Sequence, residues 1–101
     1  MKMNKNELIP FDITEYLDSE EAIAEYLSQV LEDGDNDEFI RAIGHIAKAK
    51  GMAQIAKDTG LGRESLYKAF RPNAKPRFDT VMKVMNSLQI QLSAMPRLSV
   101  G

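Results

Sequence analysis

No stretch of this chain constrains its fold more than Gln54–Phe70. Gln54-Ile55-Ala56-Lys57-Asp58-Thr59 runs into Gly60-Leu61-Gly62, and Arg63-Glu64-Ser65-Leu66-Tyr67-Lys68-Ala69-Phe70 follows. A glycine directly after a helical stretch accepts the left-handed backbone that lets a chain turn sharply. Leu61 then plugs the turn into a core, and Gly62 serves as an N-cap, less well than Ser or Asn would. Ala56 is small where two helices have to cross closely. Ile55, Leu66 and Phe70 are expected to hold the pair against the helices before and after it. The spacing predicts short helices over residues 52–59 and 63–70 with a tight turn between them. That is the form of a helix-turn-helix, whose second helix is free to enter a DNA major groove.

The flanking sequence is also helical in period. Ile23, Tyr26, Leu27, Val30 and Leu31 form one apolar stripe, and Phe39, Ile40, Ile43, Ile46 and Ala47 form a second. Asp18 and Glu21 have capping-box spacing at the start of the first, with Ser19 as the rival N-cap. Gly34 and Gly51 are stop signals, and Asp37 can cap the second helix. Lys48 and Lys50 suit the negative pole at that helix's end. Pro72 and Pro76 bracket a loop. A last helix follows over residues 78–88, with Val81, Val84, Met85 and Leu88 on one face. Ile90, Leu92 and Ala94 alternate with polar residues, the pattern of a short strand or an extended tail. Residues 1–10 read as a flexible arm, 11–94 as the folded unit and 95–101 as a loose tail. The fold expected is all-α, a single five-helix domain, with a short C-terminal strand as an option.

Several functions are disfavoured outright. A chain of 101 residues has room for one domain with a modest core. Without cysteine it has neither disulfides nor thiolate metal sites, and His45, its single histidine, cannot anchor a transition metal alone. Ser65 has no base partner legible in sequence, and Gly60-Leu61-Gly62 lacks what a phosphate-binding loop requires. The expectation is therefore no enzyme, no metal and no cofactor. No secretory signal and no apolar run of ~20 residues is present, so a cytoplasmic protein without membrane contact is expected.

Charge is strongly split. Residues 1–40 carry 2 basic and 12 acidic side chains, whereas residues 41–101 carry 11 basic and 3 acidic. The overall −2 thus conceals a basic part able to meet phosphates, since at 0.1 M salt screening hides distant charge within ~10 Å. On the second short helix Arg63, Glu64, Ser65, Tyr67 and Lys68 all lie off the buried side. Arg63 could read guanine through O6 and N7, and Glu64 could accept from cytosine or orient Arg63. Tyr67 and Lys68 could reach a phosphate or a thymine methyl. Gln54 is placed to touch a phosphate and brace the second helix, and Arg71, Lys75 and Arg77 are candidate phosphate contacts. Two blander readings stand beside these: a polar helix face that is merely solvated, and acidic and basic halves that attract each other within the fold.

These residues also carry a family likeness. The run Ala47–Ala56 and the run Thr59–Phe70 resemble the addiction-module antidote family, small HigA-like antitoxins with a helix-turn-helix of the lambda-repressor-like kind. Phe11-Asp12 with Tyr16-Leu17 is similar to the family's opening, and Pro76, Phe78, Thr80, Val84 and Leu88 to its closing helix, so the likeness spans residues 11–94. Gly62 stands where Ser is usual, Arg71–Lys75 replaces a loop that more often contains Gly, and Gln89 occupies a position often held by Gly. The resemblance implies autorepression at the promoter shared with a partner gene, in double-stranded DNA. It also implies a toxin partner of RelE or HigB type. Asp18, Glu20, Glu21, Glu25 and Glu32 are candidates for the toxin contact, because they would complement a basic ribonuclease surface. A homodimer is expected, since one short recognition helix covers few base pairs, and two copies would read a palindromic operator. Two other readings remain open: a prophage-type regulator without a toxin, and a protein-interaction module that has lost DNA.

Overall fold

Residues 19–97 are described by a computed structural model. The expected arm over residues 1–10, the beginning of the folded unit, Asp18 and the last four residues of the tail lie outside the described residues. Within them are five helices: α1 (Glu20–Asp33), α2 (Asn36–Lys50), α3 (Met52–Thr59), α4 (Arg63–Ala69) and α5 (Phe78–Ser87). The all-α expectation holds.

Caps decide where the first two helices begin. Ser19, not the capping box counted from Asp18, starts α1: its Oγ accepts from the Ala22 N–H at 3.1 Å. Such a cap contributes about 1 kcal/mol. Asp35 rather than Asp37 starts α2, with Oδ1 accepting from the Glu38 N–H at 3.2 Å. Asp37 falls inside the first turn, where its carboxylate suits the positive pole of the helix.

The apolar stripes converge on one core running from Ile23 to Ile90. Ile23, Leu27 and Val30 of α1 meet Phe39, Ile43 and Ile46 of α2, while Ile55, Leu66 and the α5 face of Val81, Val84 and Met85 close the other side. Leu31 departs from its stripe. It is 43% exposed, on the rim of a groove between α1 and the segment after α5 that Leu92 also lines.

No strand forms over residues 90–94. The alternation holds for Ile90, which is buried, and Leu92, which is half-buried, but not for Ala94, which is exposed, and a strand needs a neighbouring edge to pair with. The Ile90 N–H instead donates back to the Met85 carbonyl at 2.9 Å. Gln89 precedes it with φ +66°, the left-handed conformation that explains why glycine suits this position. Asn73, at φ +65°, fills the corresponding need in the loop before α5, where asparagine tolerates that backbone better than most residues.

Two glycines set the geometry of α4 in opposite senses. Gly44 lies buried in α2, and a Cβ there would stand 2.9 Å from the Phe70 Cβ. The close approach of α2 to the end of α4 depends on its bare backbone. Gly62 is the N-cap of α4 at φ −73°, ψ 150°, which any residue adopts, and a Cβ there would meet only the Ser65 Oγ, at 3.9 Å. Gly44→Ala is expected to lower stability, because overpacking costs about 1–3 kcal/mol while alanine's better helix propensity returns at most about 1 kcal/mol. Gly62→Ser is expected to raise stability by about 0.5 kcal/mol through a new cap and a less flexible unfolded chain. Urea melts of the two variants should shift in opposite directions.

Candidate nucleic-acid interface

α3 and α4 are joined by the three residues Gly60-Leu61-Gly62. Gly60 ends α3 at φ +78°, with its N–H donating to the Ala56 carbonyl. Thr59, which the sequence pattern did not single out, ties the turn down. Its Oγ1 donates to the Ile55 carbonyl at 2.8 Å and accepts from the Leu61 N–H at 3.2 Å. Leu61 is half-buried and packs on the core, as its place in the turn required. The turn between α3 and α4 is thus tied back to the last turn of α3 at Gly60 and Leu61.

α4 buries Leu66 inside its seven residues, with Ala69 half-buried and Phe70 buried just beyond. At 100° per residue these three lie on one side. Glu64 and Lys68 point the opposite way, with Arg63 and Tyr67 on one flank and Ser65 on the other. All five are exposed. Among the described residues neither Arg63 nor Lys68 is held in an ion pair, and Glu64 makes no ion pair with Arg63. The helix therefore presents donors and acceptors outward while its anchor lies in the core.

The remaining candidates surround this face. Gln54 is exposed, and its Nε2 donates to Asp58 Oδ1 at 2.8 Å, one turn on in its own helix. Its side chain lies along α3 instead of reaching α4. Arg71 is exposed just past α4. Lys75 reaches across 38 positions to Asp37, Nζ to Oδ1 at 3.1 Å. Arg77 pairs with Asp79 at 3.1 Å. Basic and acidic halves do meet, then, at Lys75 and Asp37, but both side chains remain largely in water. His45 is exposed. Among the described residues no cluster of His, Asp or Glu could hold a metal ion, and no helix is long and apolar enough to cross a membrane.

Asp58 links α3 to α5, which sequence reasoning missed. Its Oδ2 accepts from the Ser87 hydroxyl at 2.8 Å while its Oδ1 takes the Gln54 amide. The Gln54–Asp58 half was detectable as an i,i+4 pair, but the Ser87 half depends on how the helices cross. The Ser87 hydrogen bond, and after it that of Gln54, hold the Asp58 carboxyl below the usual carboxylate range. A carboxylate whose pKa is depressed by folding stabilises above its unfolded pKa and loses that contribution as pH falls through the folded one. The bridge is therefore constant at neutral pH and lost only in acid. In thermal melts the gap between the wild type and Asp58→Asn is expected to close as pH falls below the ordinary aspartate value of 3.8.

The acidic candidates divide similarly. Glu21, Glu25 and Glu32 share the face of α1 opposite Ile23, Leu27 and Val30, and all three are exposed. Glu20 is exposed in the first turn, off that line.

No solved structure matches this chain. A protein of Haemophilus influenzae named "Uncharacterized protein" is 46% identical over 85 residues, which are 84% of this chain and 88% of that one. The profile of the family described as "Probable addiction module antidote protein" matches residues 7–96, slightly beyond the span that the resemblance covers. With both turn glycines, the outward face of α4 and the closing helix all inside that match, the chain belongs to the probable addiction module antidote protein family.

Proposed function

We propose that this protein is a sequence-specific DNA-binding antitoxin that represses its own operon and neutralises a small toxin of RelE or HigB type. α3 and α4 act as the helix-turn-helix, within a unit spanning residues 11–94. The observation that carries the reading is the outward face of α4: five exposed polar side chains on a helix anchored by Leu66 and Phe70. In a major groove, Arg63 and Glu64 near the N-terminus of α4 reach base edges, and Ser65, Tyr67 and Lys68 contact backbone or a thymine methyl. Gln54, Arg71 and Lys75 meet phosphates on either side. Two copies, bound ~34 Å apart, read a palindrome.

Family membership supports the antitoxin half of the proposal. The acidic face of α1, with Glu21, Glu25 and Glu32 in line and Glu20 beside it, is a surface that a basic toxin would complement. Coexpression with the product of an adjacent small basic open reading frame tests this half. Growth arrest by that product alone, relieved by this protein but not by its Glu21→Lys/Glu25→Lys/Glu32→Lys variant, is the expected result. Relief that survives the triple charge reversal would place the toxin contact elsewhere.

A further inference from the structure

Lys48 has no part in the contacts proposed so far. It sits in the last turn of α2, exposed, with its Nζ 5.9 Å from the centroid of the Tyr67 ring. Gly44 is one turn earlier on the same side of α2 and meets Phe70. Consecutive turns of α2 thus touch α4 at adjacent places, the first through backbone against Phe70 and the second through an ammonium over Tyr67. Tyr67 is 43% exposed, so its ring has the freedom to swing unless something holds it. A cation over the face of an aromatic ring supplies such a hold, attracted by the ring's quadrupole.

We infer that Lys48 is a positioning residue for Tyr67, fixing the plane of its ring on the DNA-reading face of α4. This rests on the DNA-binding reading above. Lys48 acts through Tyr67 in the thymine-methyl contact, of the two contacts open to that ring, so its removal costs discrimination at that base step and leaves the phosphate contacts in place. A lysine bound to phosphate would behave differently. Its loss weakens binding to all sequences alike and lowers the slope of log affinity against log salt by about one.

The test compares wild type, Lys48→Gln, Lys48→Arg and Tyr67→Ala. In the free proteins, the Lys48 side-chain methylene protons should resonate upfield of those of the other lysines, and Tyr67→Ala should abolish the shift. In fluorescence anisotropy with the gene's upstream fragment against a scrambled duplex, Lys48→Gln should lower the preference about two- to five-fold. Lys48→Arg should restore it, and the salt slope should stay unchanged. A uniform loss on both duplexes with a reduced slope would make Lys48 a phosphate contact and overturn the inference, as would a preference that Lys48→Gln retains in full. A wild type with no preference at all would remove the DNA reading itself, and this inference with it.

Discussion

Leu66→Ala is expected to cost about 2–5 kcal/mol of folding free energy and to abolish sequence-specific DNA binding. Leu66 is 0% exposed and is the one buried residue within α4; the neighbouring side chains from Arg63 to Lys68 all face water. A seven-residue helix has no stability of its own, since nucleation is unfavourable and so few residues cannot repay it. Its structure comes from burying Leu66, with Phe70 and the half-buried Ala69 beside it. Small domains are stable by only about 5–15 kcal/mol, so this single truncation consumes much of the margin. Urea titration followed by circular dichroism measures the loss. Leu31→Ala is the internal comparison, because Leu31 is already 43% exposed and has less burial to lose. An equal cost for the two variants would mean that α4 is not anchored through Leu66.

Arg63→Ala is expected to leave stability almost unchanged and to relax specificity by about 1–3 kcal/mol at one position of the operator. Arg63 is exposed in the first turn of α4, and no ion pair among the described residues competes for its guanidinium. A bidentate fork to guanine loses both hydrogen bonds at once when truncated. Arg71→Ala should behave in the opposite way, weakening native and scrambled duplexes together and reducing the salt slope by about one. Lys75→Ala should reduce it less, since Lys75 must leave Asp37 before it can meet a phosphate. Anisotropy titrations against a set of single-base operator variants separate the two classes of contact.

Much of this was legible in the chain because it follows from local rules. The five helices follow from apolar spacing, and the left-handed Gly60 and the plug at Leu61 follow from what a tight turn requires. Local rules also mark their own limits. Asp18 and Ser19 are both sound caps, and only the reach of the Ser19 Oγ to the Ala22 N–H decides between them. Asp35 and Asp37 pose the same choice two residues apart. Over residues 90–94 the alternation picks out Ile90 and Leu92 as inward but not Ala94, which is exposed, and pairing is a property of two strands that one segment cannot supply.

What was not legible lies between elements. Gly44 against Phe70, Lys48 over Tyr67 and Asp58 to Ser87 each join helices whose crossing no periodicity encodes. Gly44 did carry a signal, since a glycine inside a helical stripe usually marks a close approach. Lys48 carried none beyond its place at a helix end, where the dipole was explanation enough. The outward face of α4 was readable because exposure follows from the burial of Leu66 alone. The toxin-facing candidates were readable as charge, and the alignment of Glu21, Glu25 and Glu32 follows from helical geometry.

Everything proposed for this protein on DNA depends on α4 reading sequence. The most direct test is fluorescence anisotropy with a duplex from the gene's own upstream region against a scrambled duplex, at two salt concentrations, for the wild type and Arg63→Ala. Tight, salt-weakened binding that prefers the native duplex is expected, with the preference diminished by Arg63→Ala. Equal affinity for both duplexes, or a preference that Arg63→Ala leaves intact, would contradict sequence reading by α4.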